Sequence, residues 1–175
     1  MEFERGDALL VVDVVTSFDH EDAASLLESF RERGGRMAEV IETGRAAGVP
    51  VIYVNDDHDR WDSDAPGLAR AAAAGPGGDV LRPLLPRAGD RVLLKHRYSA
   101  FDHTPLELLL SSLAVERVVL VGAATEGCIV QTAIDAREHA LKATIVATAC
   151  ATTDERLEET ALRYAEEVGG IRIAR

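Results

Sequence analysis

Three reactive side chains each follow a short apolar run. Asp13 follows residues 8–12, Lys95 follows 92–94, and Cys128 comes a few residues after 118–121. A thiol, an ammonium and a carboxylate supply a nucleophile, a charge that stabilises its thiolate, and a proton acceptor. The surroundings of Cys128 suit that role. Residues 122–128 read Gly-Ala-Ala-Thr-Glu-Gly-Cys, a turn of small residues leading into a stretch with Ile129, Ala133, Ala136 and Ala140 on one helical stripe. The thiol is thus expected near a helix N-terminus, where the macrodipole and free N–H groups favour negative charge and lower its pKa. A neighbouring Lys95 would lower it further. Asp13, preceded by apolar residues and followed by Val14 and Val15, is expected to be partly desolvated and to need a partner. Taken singly, each residue has a plainer account: a small buried thiol, a turn-capping Asp, a lysine that snorkels to water. Taken as a set, they point to nucleophilic catalysis.

The elements that must position them are legible as apolar runs. Residues 8–12, 49–54, 92–94, 118–121, 143–146 and a short 171–173 are continuous rather than alternating, the mark of strands covered on both faces. Helical repeats lie between them, with Leu106, Leu109, Leu110 and Leu113 in one and Leu157, Ala161, Tyr164 and Val168 in another. Thr104-Pro105-Leu106-Glu107 signs a helix start, and Thr152-Thr153-Asp154-Glu155 offers the same capping box. Gly48 reads as a helix stop. The segment 56–89, rich in Ala, Gly, Pro and charge, is expected to hold short helices around 66–74 and 80–85 over the strand ends. Strands alternating with helices imply right-handed crossovers. The expected fold is an α/β three-layer doubly wound sandwich, a mostly parallel sheet of about six strands with helices on both faces, residues 1–175 forming one domain. Ligands bind such sheets outside the carboxyl ends of the strands. One topological rule therefore gathers Asp13, Lys95 and Cys128 on a single rim.

Composition narrows the function classes. The 175 residues are 47% apolar, enough for a sizeable core and incompatible with disorder throughout. Asp and Glu total 30 against 19 Lys and Arg, a formal net charge of −11 that repels nucleic acid and anionic lipid. No apolar stretch approaches the roughly 20 residues of a membrane span, and no signal segment opens the chain. With two cysteines, Cys128 and Cys150, a disulfide framework is not expected and a reducing, cytoplasmic setting is.

The pattern resembles the isochorismatase-like cysteine hydrolases, which include nicotinamidases, carbamoyl-amide hydrolases and isochorismatases. The resemblance rests on Leu10-Val11-Val12-Asp13, on residues 51–56, on Lys95-His96-Arg97-Tyr98-Ser99-Ala100-Phe101, and most strongly on residues 122–128 followed by Thr132-Ala133 and Asp135-Ala136. It implies an Asp13–Lys95–Cys128 triad, a cis peptide between Ala123 and Ala124, and an oxyanion hole formed by the backbone N–H groups of Ala124 and Cys128. It also implies homodimers or larger homo-oligomers. Where the family often carries a Gln-Asn-Asp-Phe-like run after its first Asp, this chain has Val15-Thr16-Ser17-Phe18, so the roles of those side chains do not transfer. Asp56 and His58 have ligand spacing, but no further His occurs before His96. Residues 55–61 look like the metal-free branch, in which an Asn-Asp segment leads to Arg-Trp. Neither metal nor cofactor is expected.

Asn55, Trp61, Tyr98 and Thr125 are the candidate substrate-contacting residues, and Glu126 is either a pocket residue or a helix-start acid. Cys150 reads as a core thiol or a second rim residue, and Glu155, Glu158, Glu159, Glu166 and Glu167 as a solvated helix face. The expected activity on a small-molecule substrate is hydrolysis of an amide, ureide or carbamoyl C–N bond through a thioester. Vinyl-ether hydrolysis, which in the family leans on the Asp as acid, is the alternative. A phosphorelay receiver would use Asp13, Asp56 and Lys95 in that order, but this chain lacks a receiver's double acid after the first strand, and that reading leaves residues 122–128 without a role. A catalytically inactive binding relative completes the alternatives.

Overall fold

In the computed structural model, which describes residues 2–57 and 62–175, six strands form one parallel sheet. They are β1 (Asp7–Val12), β2 (Val51–Asp56), β3 (Arg91–Lys95), β4 (Arg117–Gly122), β5 (Lys142–Cys150) and β6 (Arg172–Ala174), in the spatial order β3-β2-β1-β4-β5-β6. Helices α1 (Ala23–Ala46), α2 (Ala65–Ala74) and α3 (Gly78–Leu81), with a 3₁₀ turn at Arg82–Leu84, connect the strands on one side of the order. Helix α4 (Leu106–Ser112) carries the chain from the β3 edge across to β4, and α5 (Val130–Glu138) and α6 (Glu155–Glu167) connect the strands on the other side. The continuity of the apolar runs has a direct cause. Ala8, Leu10 and Val12 pack with Leu106, Ala133 and Leu162 in one core, while Leu9 and Val11 pack with Phe30, Met37 and Leu81 in the other. Alternate side chains of a strand point to opposite faces, so a strand covered twice must be apolar throughout. No helix among the described residues is long and apolar enough to cross a membrane.

Strand order reverses between β1 and β4, the place where such sheets open a crevice. The two strand ends approach closely there. Gly122 has φ +129, and a Cβ on it would lie 2.0 Å from the Val12 carbonyl oxygen, so only glycine fits. β5 runs further than its apolar stretch suggests. Leu120 pairs with Ile145 but Gly122 pairs with Cys150, so β5 bulges between the two and returns to β4 at its end.

Three local expectations are corrected. α6 is capped by Asp154, whose carboxylate accepts from the N–H groups of Arg156 and Leu157 at 2.8 and 3.3 Å, rather than by Thr152. α5 stops at Glu138, leaving Ala140 exposed with φ 60. α6 turns Glu158, Leu162 and Ala165 inward, while Leu157, Tyr164 and Val168 are 54%, 54% and 62% exposed. Glu158 enters the interior because its charge is matched there: Arg33 grips it with contacts of 2.5 and 2.8 Å.

Candidate active site

Asp13, Lys95 and Cys128 meet at the carboxyl ends of the strands. Asp13 follows β1 with φ 49, a left-handed conformation that Asp tolerates better than most residues, and its N–H donates to the Val54 carbonyl at 3.1 Å. This bend sends the carboxylate towards β2, where Oδ1 accepts the Asp56 N–H at 2.6 Å. Oδ2 stands 2.7 Å from Lys95 Nζ. Lys95 ends β3 and is 1% exposed, so it does not snorkel. Its ammonium also donates to the Arg97 carbonyl at 2.9 Å, lies 3.4 Å from Cys128 Sγ, and comes within 3.8 Å of Asp56 Oδ2. A buried ammonium with this many acceptors is fully satisfied.

The electrostatics differ from the sequence expectation for the thiol. Burial, followed by the negative charge of Asp13, pushes the Cys128 pKa up to about 12, and Lys95 only partly opposes this. The thiol lies in a π-helical turn, Thr125–Ile129, and α5 begins only at Val130. The helix start therefore does not dominate. Asp13 is likewise raised, by burial, against the pull of Lys95. Lys95 is held above its ordinary value: burial works against its charge, but Asp13 and Cys128 outweigh it. At rest the ammonium is charged, the thiol is protonated, and the carboxylate next to it is unusually basic.

The peptide bond between Ala123 and Ala124 is cis. In the turn that follows, the N–H of Thr125 goes to the Ala151 carbonyl at 2.9 Å, and those of Gly127 and Ile129 go to the Ala124 carbonyl at 3.1 and 3.2 Å. Among the described residues, no loop or cap carbonyl takes the N–H of Ala124 or Cys128.

The other candidates separate into pocket and scaffold. Tyr98 is 64% exposed and borders a cavity of about 310 Å³ together with Asp13 and Ala124. Asn55 also borders it, but its amide is spent on the backbone, accepting the Val15 N–H at 2.8 Å and donating to the Val15 carbonyl at 2.9 Å. It pins the loop after Asp13. Thr125 is fully buried, its hydroxyl 2.9 Å from Glu158 Oε1 and 3.1 Å from the Ala151 carbonyl. Glu126 is a scaffold acid, accepting from the Thr152 hydroxyl and the Thr153 N–H at 2.7 and 2.8 Å. Glu158 leaves the predicted solvated face altogether. Cys150 is a core thiol, fully buried with Sγ 3.8 Å from the Leu120 carbonyl. Trp61 and His58 lie outside the described residues. Among those described, no three His, Cys, Asp or Glu side chains converge as a metal-ligand set.

Sequence reasoning missed Thr16, His20 and Leu26, which line the same cavity. They arrive on the return from β1 to α1, and nothing in their spacing announces it. It also missed the buried Asp57, whose Oδ1 lies 2.8 Å from His96 Nδ1 directly beside the Lys95 strand end. Asp57 follows the last residue of β2 and His96 the last residue of its neighbour β3, and that matched placement was the available signal.

A family model described as the isochorismatase domain matches residues 7–174. An uncharacterized isochorismatase family protein of Bacillus subtilis (strain 168) is 28% identical over 161 residues, covering 92% of this chain and 89% of that protein. The maleamate amidohydrolase of Pseudomonas putida KT2440 is 30% identical over 152 residues, covering 82% of this chain and 71% of the relative. The crystal structure of N-carbamoylsarcosine amidase from Thermoplasma acidophilum is 32% identical, with a TM-score of 0.75 over 100% of this chain and 96% of that one.

Proposed function

Because this chain belongs to the isochorismatase family, we propose that it is a cysteine amidohydrolase acting on a small amide, ureide or carbamoyl compound. The observation that carries the reading is the position of Lys95, whose ammonium touches both the Asp13 carboxylate and the Cys128 sulfur. In this mechanism Asp13 takes the Cys128 proton as the sulfur attacks the substrate carbonyl carbon. The high thiol pKa means that deprotonation accompanies attack rather than preceding it. The oxyanion is received by the N–H groups of Ala124 and Cys128, which the turn leaves unspent on loop carbonyls. Collapse expels the amine, which leaves with the proton held by Asp13. Asp13 then takes a proton from water, the hydroxide attacks the thioester, and the acid departs as the thiol is reprotonated. Lys95 keeps its proton throughout and holds both partners in register.

Contact between Cys128 and Lys95 favours this reading over vinyl-ether hydrolysis, in which the sulfur has no step. The exposed Leu157, Tyr164 and Val168 support association into a homodimer or larger homo-oligomer, and two unpaired thiols support a cytoplasmic setting. A screen of small amides, ureides and carbamoyl compounds for ammonia release tests the activity. Release from one class, abolished in Cys128→Ala, is the expected result. Silence across the panel would overturn the amidohydrolase reading, and undiminished release from the variant would overturn the thioester.

A further inference from the structure

A second cleft, of about 340 Å³, lies at the opposite end of the sheet from Asp13, Lys95 and Cys128. Arg117, Lys142 and Arg172, the first residues of β4, β5 and β6, line it together with Arg137 from the end of α5. Arg117 and Lys142 are direct register partners across β4 and β5. Like charges side by side in neighbouring strands are unfavourable unless something compensates them. In a chain with a net charge of −11, carboxylates are plentiful, and Glu2 and Glu4 stand near Arg117 and Arg172, yet among the described residues only Asp7 makes an ion pair with this cluster. Asp7 takes the Nε and Nη2 of Arg117 at 2.7 and 2.6 Å. Among the described residues, Lys142, Arg137 and Arg172 have no carboxylate within ion-pair distance.

The two inner guanidiniums are already fixed. Arg117 is held side-on by the buried Asp7, which leaves Nη1 without an internal acceptor. Arg137 is anchored through Nη1 to the Gly169 carbonyl at 2.5 Å, which leaves Nε and Nη2. Planar donors held in this way lose little freedom on binding and match the oxygens of phosphate groups. Three cations without an ion-pair partner among the described residues exceed what a single carboxylate would neutralise. Leu141 and Ile171 add apolar wall beside the charges.

We propose that the cleft at the amino ends of β4, β5 and β6 binds a diphosphate group through Arg117, Arg137, Lys142 and Arg172. The diphosphate is either free or carried on a nucleotide, and the cleft volume falls in the range of small-ligand pockets. The site is separate from the catalytic rim, so its presence does not depend on the amidohydrolase reading.

Calorimetric titration of the intact protein with inorganic pyrophosphate, at constant ionic strength, tests this directly. Saturable 1:1 binding is expected, weakened at least tenfold in a Lys142→Gln/Arg172→Gln double variant. Both side chains are exposed, so the variant should melt at the wild-type temperature without ligand, and Lys142→Gln alone provides a milder check. A parallel titration with ADP separates the sources. Tighter binding of ADP assigns a nucleotide that uses the Leu141–Ile171 wall, and equal or weaker binding assigns the free diphosphate. Absence of saturable binding of either ligand to the wild type, or undiminished binding to the double variant, would overturn the site.

Discussion

The hydroxyl of Thr125 lies 2.9 Å from Oε1 of Glu158, joining the turn that carries Cys128 to α6. Arg33 completes the junction from α1, and its Nη1 also donates to the Cys150 carbonyl at 2.8 Å. The turn that carries Cys128 thus rests on an ion pair that neither face of the sheet could supply alone. Replacing Glu158 by Ala removes the carboxylate that Arg33 and Thr125 share and leaves each only a backbone carbonyl, and stability should fall by roughly 1.5–3 kcal/mol, the range for hydrogen bonds to charged groups. Urea unfolding of Glu158→Ala beside Glu159→Ala measures it. Glu159 should change stability by no more than about 0.5 kcal/mol, as for an ordinary surface site. Equal effects at the two positions would mean that the junction contributes nothing.

Replacing Asp13 by Asn should separate turnover from thiol reactivity. Loss of the proton acceptor should lower turnover by about 10²–10⁴-fold. The charge of Asp13 is also one of the two causes that hold the Cys128 pKa up, so removing it should lower that pKa and speed alkylation by iodoacetamide near neutral pH. The two readouts moving in opposite directions is the signature. A parallel fall in both would point to a distorted site instead.

Lys95→Met should do the reverse to the thiol. The ammonium is the influence that lowers the Cys128 pKa, so its loss should raise that pKa further and slow alkylation. In the wild type, the rate should climb with pH across the alkaline range, and because the thiol stays mostly protonated there in both proteins, the variant should remain slower by a constant factor. Alkylation profiles that superimpose would remove Lys95 from the mechanism.

Both thiols and Lys95 have raised pKa values in the folded chain, Cys150 through complete burial. A raised folded value means that the native state keeps protons which the unfolded chain releases, so this contribution is complete below the unfolded pKa and lost above it. For thiols that threshold is about 8.5. Melting temperature should therefore decline as pH rises from 8 to 10, and Cys150→Ala should flatten the decline while keeping most turnover. A flat profile in the wild type would contradict the protonated resting state.

Much of this arrangement was legible because apolar continuity and small-residue turns are local properties. The run at 8–12 marks a doubly covered strand whatever surrounds it, and its last neighbour, Asp13, inherits its place from topology. What was not legible depended on partners distant in sequence. Glu158 looks like any exposed helix acid until Arg33, 125 residues away, is brought against it. The same pairing turns α6, so that Leu157, Tyr164 and Val168, an apolar stripe by spacing, face outward. The rise in the Cys128 pKa was hidden for a similar reason: the helix start is written next to the thiol, but the carboxylate beside it comes from β1.

The close approach of Gly122 to Val12 bears on how substrate preference could be redirected. Gly122 and Val12 directly precede the cavity-lining Ala123 and Asp13, and there is no room for a methyl group between them, so substitution at position 122 offers no route to a new pocket shape. Adjustable volume belongs instead to side chains brought by loops and helix starts, with Thr16, His20, Leu26 and Tyr98 facing the same cavity. A library that randomises those four positions leaves Asp13, Lys95 and Cys128 untouched. The molecule divides into a chemically invariant base and a replaceable rim, which is the division a laboratory evolution campaign requires.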